Sequence, residues 1–219
     1  MRSLETDHAQ CLTSKTNKPY SSHRSSDIKS LRRSLYGPGD PHWRTFSQLP
    51  KEDKTVIVLP ESSLGFWTPI LGKFWNKQLK GTSITVIAGA AVIEPDGYDN
   101  VMVANDARSG PILYHERIPV PVSMWRPWEH WFGLAGGARA SFFANSAVDV
   151  AGKRIAPLIC YEQLILWPIL QSMLQQPDVI VPMGNGWWTT GSNIVAFQRA
   201  SAKAWTELVG IPLVISFNT

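Results

Sequence analysis

The chain has 219 residues, 44% of them apolar and 17% charged. That is too apolar and too weakly charged for a disordered chain, it suffices for one sizeable core, and no run of eighteen uninterrupted apolar residues marks a membrane span. The net charge of +4 comes from residues 1–50, which hold eight basic and four acidic side chains, while the remainder carries 13 of each; a nucleic-acid binder would carry its basic patch on the folded part, so no nucleic-acid partner is predicted.

Residues 1–50, rich in Ser, Lys, Arg and His and broken by Gly37-Pro38-Gly39 and Asp40-Pro41, read as a polar leader, largely disordered, with a short helix around 28–35. The folded domain is expected over 51–219. Its first strand is 55–59, closed by Pro60, and a helix follows over 68–79. A central strand is predicted at 83–93, then strands at 100–104 and 111–118 around the turn at 106–110, all antiparallel. Residues 119–139, with Trp125, Trp128 and Trp131 among prolines and glycines, suit a long structured loop; a membrane-contacting lip is the weaker alternative. A hairpin over 147–150 and 154–159 leads to Cys160. A helix at 163–175 containing Pro168, a strand at 178–182, an amphipathic helix at 192–209 and a strand at 212–217 complete the chain. Short β-branched runs alternating with amphipathic segments predict an α/β or layered α+β domain.

Cys11 and Cys160 are the two cysteines, too few for a disulfide framework or a zinc site, and the five His never fall at ligand spacing; no metal or cofactor is predicted. With no apolar secretory core in the opening residues, a reducing, cytoplasmic location is expected.

Three polar residues stand where an apolar strand stops, which is where open sheets present functional groups. They are Glu61 in VIVLPE, Cys160 in IAPLICYE and Asn185 in PMGNGWW. Taken singly, each has an ordinary reading: a helix-capped strand end, a buried inert thiol, a packed aromatic turn. Together, a carboxylate and a thiol at equivalent strand ends form a general base beside a nucleophile, with backbone N–H groups placed to lower the thiol pKa. No GxGxxG, P-loop or GxSxG spacing is present.

Leu59-Pro60-Glu61, Ile159-Cys160-Tyr161-Glu162, the run from Gly184 to Trp188, Gln198-Arg199-Ala200, and Tyr114-His115-Glu116-Arg117 leading to Pro121 resemble the nitrilase (carbon-nitrogen hydrolase) superfamily. Order and spacing are closest to the apolipoprotein N-acyltransferase branch and the conjugal transfer TraB family. The resemblance covers about residues 55–219. It implies an αββα sandwich and a Glu-Lys-Cys triad acting on C–N bonds by hydrolysis or acyl transfer. Glu61 carries over as base and Cys160 as nucleophile; Glu162 resembles the acidic residue beside the cysteine, and Tyr161, Asn185 and Trp187 fall in the binding region. The Lys does not carry over. Glu116 stands in its place, where a carboxylate would repel an oxyanion, so Arg117 is the candidate oxyanion donor if a bulge shifts the register. The alternative is a catalytically inactive assembly component of plasmid transfer.

The resemblance also implies strands at both ends that the sequence does not show, so sheets incomplete at their edges are expected. The implied partners are a small-molecule amide or acyl substrate and a second copy or assembly partner covering those edges.

Overall fold

Alternation along each apolar run decides which face of a sheet a side chain covers, and here both faces of both sheets are covered. The computed structural model describes residues 55–107, 110–132, 136–186, 189 and 191–218, with the strand backbone of Cys11–Thr13; the side chains of residues 130 and 131 are not described. One sheet has the order β1 (Cys11–Thr13), β2 (Thr55–Val58), β3 (Ile84–Glu94), β4 (Gly97–Asn105), β5 (Ile112–His115); the other has β6 (Val148–Val150), β7 (Lys153–Ile159), β8 (Val179–Asn185), β9 (Ser216–Asn218). β2 pairs with β3 in parallel, and β3-β4-β5 are antiparallel as expected. In the second sheet β6-β7 are antiparallel, whereas β7-β8-β9 are parallel.

Val58, Ile87, Met102, Ala104 and Tyr114 of the first sheet meet Val148, Ile155, Ile159, Val181 and Met183 of the second in one buried layer. The intervening residues face outward. Ile57, Val86 and Ala88 pack on Trp75 and Leu79 of helix α1 (Pro69–Leu79), and Ala156, Leu158 and Ile180 pack beneath α2 (Leu166–Met173) and α3 (Ile194–Val209) through Ile169, Trp205 and Val209. The layers therefore run α-β-β-α, and each large aliphatic side chain removed from water contributes about 1.5–3 kcal/mol.

Four expectations need amendment. The leader shows no opening strand in its sequence, yet Cys11–Thr13 pairs antiparallel with β2, a three-residue strand too short to leave a periodic signal. The helix read at 163–175 divides into a 3-10 helix, Cys160–Leu164, and α2. Pro168 is then the third residue of α2, in the first turn where its missing N–H breaks no helical bond. The strand read at 212–217 shortens to β9 preceded by a bridge between Leu213 and Ile180, and the loop at 119–139 contains a 3-10 helix, Pro127–Phe132. The expected disorder of the leader and its helix near 28–35 lie outside the described residues.

Candidate active site

Glu61 is delivered by the end of β2. Pro60 sets the chain entry, Ser62 has a φ of 60°, and the Ser63 hydroxyl closes the turn on the Pro60 carbonyl at 2.5 Å. The turn lies directly on β3: a Cβ on Gly89 would stand 2.5 Å from Glu61 Cα, so this strand position requires glycine. The carboxyl is buried, Cys160 and the Asn185 backbone both act on its titration, and its Oε2 has no partner among the described residues.

Cys160 leaves β7 with a φ of 45°, a left-handed conformation unusual for a residue with a Cβ, and begins the 3-10 helix. Glu162 holds that turn. Its carboxylate accepts from Ile159 N at 2.8 Å, Arg117 N at 2.7 Å and the Tyr114 hydroxyl at 2.9 Å. From the other side, α3 docks on the turn: the Ser201 hydroxyl and Trp205 Nε1 donate to the Gln163 carbonyl at 2.6 and 3.1 Å, and Gln198 Nε2 lies 3.7 Å from Cys160 Sγ.

The β5 register decides which side of the sheet each neighbour covers. Pairing continues without a bulge from His115 opposite Val101 to Glu116 N donating to Asn100 O at 2.8 Å. Glu116 therefore lies on the same side as Tyr114, toward the second sheet, and its carboxyl acts electrostatically on both Cys160 and Glu61. Arg117 as oxyanion donor is overturned. Its side chain is fully buried and turned toward α2, where the guanidinium donates to the Tyr114 hydroxyl at 2.8 Å, Pro168 O at 2.9 Å, Gln171 Oε1 at 3.2 Å and Ser172 Oγ at 3.0 Å. It also stands 3.4 Å from Glu162. With these partners answered, the guanidinium is committed away from Cys160.

Burial dominates the electrostatics. Glu61 is raised from 4.5 to about 7, chiefly by desolvation, with the Cys160 and Asn185 hydrogen bonds opposing the rise. Desolvation first, then the charges of Glu162 and Glu61, push Glu116 well above the usual carboxylate range. Glu162 is raised by burial too, against the pull of Arg117 and its backbone donors. The expected lowering of the thiol pKa is reversed: burial, then Glu61 and Glu116, push Cys160 strongly upward. Among the described residues no cluster of three or more His, Cys, Asp or Glu is arranged to hold a metal ion.

Asn185, at the end of β8, has its Oδ1 buried and unpartnered among the described residues, and its backbone lowers the Glu61 pKa against the larger effect of burial. The following Gly186 N–H is held by Asn218 of β9 at 2.8 Å to the backbone oxygen. Tyr161 is half-buried beside Cys160, and Trp187 lies outside the described residues. Two neighbours escaped sequence reasoning as site groups, Gln198 and Asn100. Each had a signal: Gln198 is a polar residue on the apolar stripe of Ala202, Trp205 and Val209, and Asn100 falls in phase with inward-facing Met102 and Ala104.

Residues 77–207 match the family described as Carbon-nitrogen hydrolase. The chain is 63% identical over 164 residues to "Conjugal transfer protein TraB" of Agrobacterium fabrum, covering 75% of this chain and 39% of the relative. It is 61% identical over 163 residues to "Probable conjugal transfer protein TraB" of Sinorhizobium fredii, covering 74% and 42%. A more distant relative, "Apolipoprotein N-acyltransferase" of Photobacterium profundum, is 26% identical over 204 residues, with 82% of this chain and 39% of the relative covered. The chain thus spans about two fifths of the length of these relatives. Among solved structures, Saccharomyces cerevisiae Nit3 of the nitrilase superfamily superposes with a TM-score of 0.59 at 11% identity, over 98% of this chain and 77% of that one, a likeness of fold. With 131 of its residues under the family match and the αββα layering to accompany it, the chain belongs to the carbon-nitrogen hydrolase family.

Proposed function

We propose that this domain carries out cysteine-based acyl transfer or hydrolysis at a C–N (amide) bond of a small-molecule substrate, with Cys160 as nucleophile and Glu61 as general base. The observation that carries the reading is that Glu61 and Cys160, both buried and leaving strands of different sheets, come near enough for each to act on the other's titration. Because the thiol is held protonated at rest, its proton passes to Glu61 only as sulfur attacks the carbonyl carbon. Glu61 then returns the proton to the departing amine, and the thioester is resolved by water or by an acceptor amine. Glu162 acts as a positioning residue for the turn, and Asn185, Tyr161 and Trp187 are the groups assigned to substrate binding. The names of two relatives support a place in conjugal transfer; a cytoplasmic location and a second copy or assembly partner complete the proposal.

An active ester tests this without knowledge of the substrate. Incubation with p-nitrophenyl acetate should acetylate Cys160, located by peptide mass spectrometry, and Glu61→Gln should slow the reaction by about 10²–10⁴-fold. Acetylation of Cys11 and Cys160 at equal rates, or indifference to Glu61→Gln, would overturn the reading. One observation favours a second reading, an assembly component without turnover: a buried carboxyl, Glu116, stands near enough to act on the thiol where the resembled enzymes have a Lys.

A further inference from the structure

Glu116 has no part in the steps above, yet it is fully buried and interacts electrostatically with both Glu61 and Cys160. Its Oε2 accepts from Asn100 Nδ2 at 2.9 Å, while Oε1 is buried without a partner among the described residues. We propose that Glu116 works as a neutral carboxylic acid whose Oε1–H hydrogen-bonds the oxyanion formed at Cys160, replacing a cationic donor by an uncharged one. This rests on the reading of Cys160 as nucleophile.

The surroundings explain why the proton stays. Glu61 from the β2 turn and Glu162 from the 3-10 helix act on Glu116 as like charges, Cys160 and Tyr98 of β4 are its other titratable neighbours, and the nearest guanidinium in sequence, Arg117, is engaged with Glu162, Tyr114 and α2. Burial and these carboxylates all favour the protonated form. Asn100 occupies Oε2 as an acceptor, which leaves Oε1 to carry the hydrogen. Two buried carboxyls divide the work by their surroundings: Glu61, at the β2 turn and acting on the thiol, is the base, and Glu116, with one amide donor and a free Oε1, is the hydrogen-bond donor. In the step itself the sulfur–carbon bond forms as the S–H proton moves to Glu61. The carbonyl π electrons move onto oxygen, and that oxygen accepts the Oε1–H of Glu116 without taking its proton. On collapse the electrons return, the C–N bond breaks, and the amine leaves with the proton held by Glu61.

The test is the pH profile of p-nitrophenyl acetate acylation at Cys160 in the full chain. Glu116→Gln keeps an uncharged donor and should retain the rate within about tenfold, with the rising limb unmoved; Glu116→Met removes the donor and should slow acylation by on the order of a hundredfold or more. A Met variant as fast as the parent overturns the proposal. So does a Gln variant whose rising limb moves down by about one pH unit or more, since that is the signature of removing an anion beside Glu61. Infrared difference spectra between the parent and Glu116→Gln at about pH 8 read the protonation directly, independent of turnover: a carboxylic-acid C=O band supports the proposal and a carboxylate band overturns it. If Cys160 of the parent is not acylated at all, the proposed function falls and this inference with it, whereas acylation unaffected by Glu116→Met removes the inference alone.

Discussion

Glu162 and Glu116 are both buried glutamates within one neighbourhood of Cys160, and the fold treats them differently. Glu162 receives two backbone N–H groups and the Tyr114 hydroxyl, with the Arg117 guanidinium 3.4 Å away. Glu116 receives one amide N–H and keeps one oxygen unanswered. A carboxyl with several donors is a structural bracket, fixing the end of β5 to the cysteine turn across a separation of 45 residues. A carboxyl denied donors and placed among like charges retains its proton and has a free site to offer. The same side chain therefore serves as scaffold on one side of the turn and as chemistry on the other, because of what surrounds it.

The contrast can be broken most forcefully on the scaffold side. Arg117→Ala strands Glu162 without its cation and should destabilise the fold by about 3–5 kcal/mol, read by urea unfolding. A loss below about 1 kcal/mol would mean that the bracket is not structural.

Next in size is a pH effect on the reactive side. The folded-state pKa of Glu61 lies above its unfolded value, so the unfolded chain releases this proton first as pH rises. The stability contribution is therefore full below 4.5, is lost between 4.5 and about 7, and stays flat above that. Glu61→Gln does not titrate, so its stability relative to the parent should rise by roughly 3 kcal/mol between about pH 5 and pH 8. A difference independent of pH would place Glu61 at an ordinary carboxylate pKa.

The smallest effect sharpens the comparison within the bracket. Tyr114→Phe removes the hydroxyl that donates to Glu162 and accepts from Arg117, and should cost about 1–3 kcal/mol in the same unfolding measurement while leaving the pH profile of acylation in place. A shifted profile would mean that Tyr114 belongs to the reactive side.

The positions of Glu61 and Cys160 at strand ends were legible because each follows an apolar run, and a strand end is a local property. The layers were legible for a similar reason, since period-2 alternation assigns Val86 and Ala88 to one face and Ile87 to the other before any partner is known. Helix 163–175 was misread at its start because composition cannot distinguish a 3-10 turn from the helix that follows it. The choice of Arg117 over Glu116 failed for a deeper reason. It assumed that a carboxyl opposite the thiol must be charged and that the site would prefer the cation.

The residue order alone determined where the functional groups leave their strands, that Glu116 and Arg117 point to different sides, and that the core is a two-sheet layer. Only the tertiary structure decided that Glu116 is buried with one oxygen unanswered, that Arg117 is claimed by α2 and Glu162, and that burial pushes the thiol pKa upward. The physical reason is that local alternation is set by adjacent peptide units, whereas the charge of a buried group depends on donors, acceptors and solvent exclusion supplied by segments tens of residues away.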